Sequence, residues 1–363
     1  MIFACVIILV AIFNFLFISY LINYSKSDVS SKVVRLRDIH IYKTPSIGGV
    51  SFFVSFILSF ILFYFIKFFP EFTFYNLYDI VPYYHLKLLL LSSFIMFIIG
   101  FFDDVFNLRF QYKFLFQLFV SIITVYYLEV RIESFYGIFG SFDFSNSFLN
   151  IFSVLVVIFI INSYNFVDGV DGLASSLGIL ILFIFSILFY FNDCFFDFFM
   201  CLILKSILLS FLYFNKPTAK IFMGDSGSLF IGYLISYFSL KLCNLPIDHS
   251  GTINPVFILC ILSYPAIDTL RVFFIRVYNR KSPFFPDKNH IHHFIINNNF
   301  NHIWVACYSI FYTMTLTSIC YLLRSHLTLS FFAMILISVI LIYKPILFFC
   351  KNSLYILASK LGN

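Results

Sequence analysis

Five aspartates carry the chemistry this chain could do. Asp103 and Asp104 are adjacent in "GFFDDVFNLRFQYK" (100–113), Asp168 and Asp171 stand three apart in "NSYNFVDGVDGLA" (162–174), and Asp225 lies between glycines in "NKPTAKIFMGDSGSL" (215–229). Neighbouring carboxylates repel, so a pair such as Asp103–Asp104 either sits in solvent at a helix end or shares a cation. The i, i+3 spacing puts Asp168 and Asp171 on one face if the segment is helical. Asn162 and Asn165 repeat the same spacing just upstream. Around Asp225, Gly224 and Gly227 form a Gly-rich turn before an apolar run, where backbone N–H groups can meet phosphate. A carboxylate beside such a turn is a common Mg²⁺ ligand.

Basic and aromatic partners lie near these acids. Lys113 opens an apolar run and can complement a phosphate or anchor the run at the membrane surface. His290, His292 and His293 in "SPFFPDKNHIHH" (282–293) can donate to phosphate or move protons. No Cys or carboxylate at ligand spacing completes a zinc site with them. The acids around 168 lack the alternation and terminal Glu of a calcium loop, and no G-x-x-x-x-G-K-[ST] loop occurs. The five carboxylates, basic groups and Gly-rich turns together suit Mg²⁺-assisted phosphate chemistry.

The elements that must position these residues are apolar runs. Of 363 residues, 61% are hydrophobic and 11% charged, against about 25% charged in a soluble domain; mean hydropathy is +0.98. About 20 apolar residues cross a bilayer. Candidate spans fall near 2–23, 47–69, 85–102, 113–130, 149–164, 173–191, 198–214, 226–243, 254–274, 304–323 and 329–349. The expectation is an all-α, polytopic transmembrane helix bundle of about 10–11 spans forming one domain over 1–363. The first 25 residues hold no Lys or Arg, so the first run reads as a retained span rather than a cleavable leader.

Charge orients the bundle. With the N-terminus outside, 17 of the 23 Lys and Arg fall in inner segments and five in outer ones, which by the positive-inside rule predicts a cytoplasmic C-terminus. All the acidic motifs, "KTPSIGG" (43–49) and the histidine segment then share the cytoplasmic face. The net charge of +6 is an orientation signal and predicts no nucleic-acid partner. The eight cysteines have no C-x-x-C pair and read as small buried residues. No internal repeat is visible, unlike the symmetric halves of many transporters.

In order and spacing, "KTPSIGG", "DDVFNLRFQYK", "NSYNFVDGVDGLA", "NKPTAKIFMGDSGSL", "YPAIDTLRVFFIR" and "SPFFPDKNHIHH" resemble the polyprenyl-phosphate N-acetylhexosamine-1-phosphate transferases. That superfamily includes the phospho-N-acetylmuramoyl-pentapeptide transferase of peptidoglycan synthesis. The resemblance implies transfer of a sugar 1-phosphate from a UDP-N-acetylhexosamine to polyprenyl (undecaprenyl) phosphate, with release of UMP. It implies Mg²⁺, for which Mn²⁺ can substitute, and a multi-pass protein of a bacterial-type plasma membrane, with a homodimer as a further option. Asp225 becomes the expected metal ligand; Asp103, Asp104 and Asp168 become the catalytic candidates. Lys43, Thr44, Lys113, Asn162, Asn165, Asp171, Asn215, Phe222, Arg276, His290, His292 and His293 become the substrate-binding candidates, with Asp268 leading into the histidine loop.

The "HIHH" form resembles members that use small UDP-N-acetylhexosamines, which favours UDP-GlcNAc and the first membrane step of a surface glycan. The phospho-MurNAc-pentapeptide transferase reaction and an ion-coupled transporter are the alternatives. "INNNFNH" (296–302) departs from the family, whose members usually place a Gly there. Direct attack by the lipid phosphate is the expected mechanism, with a double displacement through an aspartyl-phosphate as its rival.

Overall fold

The computed structural model describes residues 2–27, 44–66, 83–138, 143–248, 251–253, 255–280, 290–291, 295–296, 301–323, 326 and 328–339. Lys43, His292 and His293 lie outside them. The elements are α1 (Ile2–Ser27), α2 (Gly48–Ile66), α3 (Tyr83–Phe106), α4 (Phe110–Ile122), α5 (Asn146–Val167), α6 (Leu173–Phe191), α7 (Phe195–Asn215) and α8 (Gly224–Leu242). There follow β1 (Pro246–Asp248), β2 (Gly251–Thr252), α9 (Pro255–Ile261), α10 (Ser263–Tyr278), α11 (His302–Leu322) and α12 (Thr328–Val339).

Each predicted apolar run is mostly helical over its described residues, but the span count is lower than expected. Among the described residues seven helices are long and apolar enough to cross a membrane, or eight if α9 and α10 count as one. Four of the eleven runs account for the count of seven, one of them 329–349, which is described only over the short helix α12 (Thr328–Val339). The run 254–274 is not straight, because α9 and α10 meet at 88°. Pro265 in the first turn of α10 has no N–H to offer Ile261, so a new helix starts there. The run 113–130 is α-helical only to Ile122 and widens into a π-helical turn at Ile123–Tyr127. In α8, Asp225, Lys241 and four serines dilute the apolar content. The small antiparallel β1–β2 pair is a minor departure from an all-helical chain.

Most of α8 is buried, and it packs against α2, α3, α5 and α6. Around it, α6 pairs with α7, α1 with α2 and α7, α4 with α5, and α11 with α6 and α9. Phenylalanine rings fill the seams: Phe53 stacks on Phe97 at 4.4 Å, and Phe56 meets Phe230 edge-on at 5.2 Å. Many polar side chains inside the bundle are hydrogen-bonded, which offsets the cost of burying them in an apolar surrounding. Asn14 donates to the Ile207 carbonyl at 3.0 Å and to Ser210 at 2.6 Å, and accepts from Ser55 at 3.0 Å. Ser121 and Thr124 donate back to carbonyls four residues earlier.

The two ends of the bundle differ. At the end of α8 distant from Asp225, Lys241 forms a 2.6 Å ion pair with the buried Asp197 at the start of α7. The candidate site lies at the other end.

Candidate functional site

Helix α3 ends in the Asp103–Asp104 pair, and α8 begins one step from it. Gly100 makes this approach possible, since a Cβ there would collide with the Asp225 carbonyl and lie 2.6 Å from the Ser226 Cα. Gly224 takes a left-handed φ of 72°, with Asp104 and the Ser46 carbonyl packed where a side chain would stand, so a residue without a Cβ is needed. The two oxygens of Asp104 accept the N–H groups of Asp225 and Ser226 at 2.9 Å each. Asp104 therefore caps α8 from another helix, and its negative charge faces the positive end of the helix dipole.

Asp225, held this way, accepts from two side chains. Lys113 on α4 donates to its Oδ2 at 3.3 Å and to Asp103 Oδ2 at 3.0 Å. Asn165 on α5 donates to Asp225 Oδ1 at 3.0 Å and to Ser228 at 2.7 Å. Four helices thus bring Asp103, Lys113, Asn165 and Asp225 into one connected chain. Asp103 is buried. Two carboxylates point their oxygens at one ammonium, so the geometry concentrates negative charge on a single cation position.

The fit to Mg²⁺ follows from that donor set. Among the described residues no group of three His, Cys, Asp or Glu side chains gathers as a complete metal centre. Mg²⁺ typically takes one or two carboxylates and completes its shell with water and substrate phosphates. Asp103 and Asp225, converging on one positive charge, are such a partial set. The residues fit the ion.

The remaining candidates frame this cluster. The turn after α5 carries Asp168 at its C-cap. Asp171 is buried, accepts the Ala219 N–H at 3.2 Å and meets His302 Nδ1 at 3.3 Å. Asn215 is buried; its oxygen accepts from the Gly172 N–H and Ser175, and its nitrogen donates to the Ile221 carbonyl. It clamps the 168–172 turn to the segment that leads into α8. Phe222 exchanges backbone bonds with Pro45 and Gly48, which brings the segment after Thr44 to the same end. Asn162 pairs its amide with Gln117.

A second group lies alongside. Asp268 on α10 accepts from Arg271 at 3.2 Å and the Ile291 N–H at 3.0 Å, and is 2.9 Å from His290 Nδ1. The His290 ring lies 5.6 Å from that of Phe166, the residue after Asn165. Arg276 is buried on the same helix, two turns beyond Asp268. The residues that sequence reasoning missed are Gln117, Gly100, Ser228 and His302. A polar residue in an apolar run was the available signal for Gln117.

Fold and site together define a helical membrane bundle with an acidic, cation-bridged cluster at one end. Residues 86–243, which hold α8 and the three aspartate motifs, match the model described as glycosyl transferase family 4. The chain is 33% identical over 213 residues to a probable undecaprenyl-phosphate N-acetylglucosaminyl 1-phosphate transferase of Bacillus subtilis (strain 168), covering 58% of each chain. It is 29% identical over 233 residues to the undecaprenyl-phosphate alpha-N-acetylglucosaminyl 1-phosphate transferase of Escherichia coli (strain K12), covering 61% of this chain and 62% of that one. A Yersinia pestis protein of the same description is 28% identical over 224 residues, 60% of each chain. The match thus spans about three fifths of the length of these relatives. The family resemblance carried by the motifs is borne out.

Proposed function

We propose that this protein transfers N-acetylglucosamine 1-phosphate from UDP-GlcNAc to undecaprenyl phosphate and releases UMP. The reaction takes place at the cytoplasmic face of a bacterial plasma membrane, with the N-terminus outside and the C-terminus inside, as the first membrane step of a surface glycan. The observation that carries this reading is the convergence of Asp103 and Asp225, from different helices, on Lys113. A site that must bring two anionic substrates together needs such a concentration of cation-binding oxygens beside a fixed basic group. The names of the relatives support the acceptor and the sugar.

Asp225 and Asp103 would hold Mg²⁺, which when bound supplies neutralising charge between the two phosphates. Lys113 offsets the charge of the lipid phosphate, and Asp103 sets the direction of its ammonium. Asp104 keeps Asp225 in place through the α8 N-terminus. Asn165 and the Asp168–Asp171 turn form the wall for the donor diphosphate, with His290 and Arg276 on the nucleotide-sugar side; the motif assigns His292 and His293 to the same substrate. An oxygen of the lipid phosphate forms a bond to the β-phosphorus of the donor. The bond from that phosphorus to the bridging oxygen breaks, and its electron pair leaves with UMP. Holding the reactants in line supplies much of the rate.

The test is incubation of membranes containing the protein with radiolabelled UDP-GlcNAc and undecaprenyl phosphate. Labelled lipid with release of UMP is expected. UDP-GalNAc and UDP-MurNAc-pentapeptide, run in parallel, fix the donor. Uptake of label into sealed vesicles without a lipid product would overturn the proposal in favour of transport.

A further inference from the structure

We propose that Gln117 is a positioning residue for cation binding, acting through an amide pair with Asn162 that sets the spacing of Lys113 and Asn165 around Asp225. This rests on the reading of that end of the bundle as a Mg²⁺-dependent phosphotransfer site.

The pair is joined in both directions. Gln117 Nε2 donates to Asn162 Oδ1 at 3.2 Å, and Asn162 Nδ2 donates to Gln117 Oε1 at 2.8 Å. Asn162 Nδ2 also donates to the Ile158 carbonyl at 2.8 Å, which anchors the pair to the α5 backbone. Gln117 is 1% exposed. Both atoms of the Asn162 amide are therefore engaged with protein.

Its place in the bundle gives the pair its function. Gln117 is four residues after Lys113 on α4, and Asn162 is three before Asn165 on α5, so each amide lies one turn from a partner of Asp225. The reciprocal bonds form only when α4 and α5 hold one separation, because a shift of about 1 Å would stretch at least one of them past hydrogen-bonding distance. In an apolar surrounding an unpaired amide is costly, so the pair resists that shift. The Asn14–Ser55–Ser210 network binds α1, α2 and α7 in a comparable way, but it sits beside no carboxylate of the site. What distinguishes Gln117–Asn162 is that it joins the two helices that grip the same aspartate.

The test uses the purified full-length protein in detergent, with Mn²⁺ as the probe read by electron paramagnetic resonance and thermal unfolding measured alongside. The wild type is expected to bind Mn²⁺ at a site lost in Asp225→Asn. The apolar double variant Gln117→Leu/Asn162→Leu removes both partners at once, which leaves no orphaned amide. Its unfolding midpoint is expected to stay within a few degrees while Mn²⁺ affinity falls about tenfold or more. The length-conserving swap Gln117→Asn/Asn162→Gln restores the pair and is expected to recover affinity to within about threefold of the wild type.

Wild-type Mn²⁺ affinity in the apolar variant would overturn the proposal and leave the pair as packing. Should the apolar variant fail to fold, the swap decides: a folded swap that binds Mn²⁺ weakly also overturns it. If the wild type shows no Mn²⁺ binding that depends on Asp225, the phosphotransfer-site reading fails too, and that result appears before any change at Gln117.

Discussion

Replacing Asp104 by Asn separates the two members of the acidic pair. In the structure Asp104 offers one oxygen to the Asp225 N–H and the other to the Ser226 N–H. Asn keeps one acceptor and turns the other into a donor facing an N–H. One charge-assisted hydrogen bond is lost, about 1.5–3 kcal/mol, and the favourable charge at the α8 N-terminus goes with it, about 0.3–1 kcal/mol. The expected loss is about 2–4 kcal/mol, seen as a fall in Tm of roughly 3–5 °C. Asp103→Asn is the control: Asp103 bonds to Lys113 rather than to the α8 backbone, so its Tm should stay much closer to that of the wild type. The assay is thermal unfolding of both variants in one detergent, with transfer activity read on the same samples. Asp104→Asn as stable as the wild type would refute the capping argument, as would equal destabilisation by the two variants.

Asp103→Asn and Asp225→Asn should each abolish transfer in the radiolabel assay while the protein still inserts; full Mg²⁺-dependent activity in Asp225→Asn would remove it from the metal site. Gly100→Ala should cost both stability and activity, because the added methyl meets the backbone of Asp225 and Ser226 rather than a flexible side chain; wild-type turnover in this variant would contradict the close approach of α3 and α8. Asp197→Ala should destabilise by about 3–5 kcal/mol, the cost of leaving Lys241 without its partner. Activity per folded molecule should be unchanged there, since the pair lies at the opposite end of α8, and a selective loss of kcat would show that the two ends are coupled.

Much of this was legible in the sequence because lipid imposes a simple rule on the backbone. An apolar run with few charges has to satisfy its own N–H and C=O groups, and the helix does so; the long runs around α1, α2, α6 and α7 were visible for that reason. The motif acids were visible because each interrupts such a run. The α9–α10 bend was missed because hydropathy carries no direction, so Pro265 went unread inside an apolar stretch. The separate duties of Asp103 and Asp104 were equally hidden. Two identical neighbours differ only in what they face, and the N-terminus that Asp104 caps belongs to a helix more than a hundred residues away. Gln117 was passed over for a related reason: its meaning lies in Asn162, forty-five residues on.

The enclosure of α8 by its neighbours bears on how the protein is made. A helix that carries Asp225, Lys241 and several serines is a poor candidate to leave the insertion machinery for lipid by itself. Its main contact partners α2, α3, α5 and α6 all precede it in the chain, and a smaller contact with α9 comes from a later segment among the described helices. Vectorial synthesis therefore prepares a protein-lined berth before the polar passenger emerges, and the site-forming aspartate arrives after the residues that will hold it.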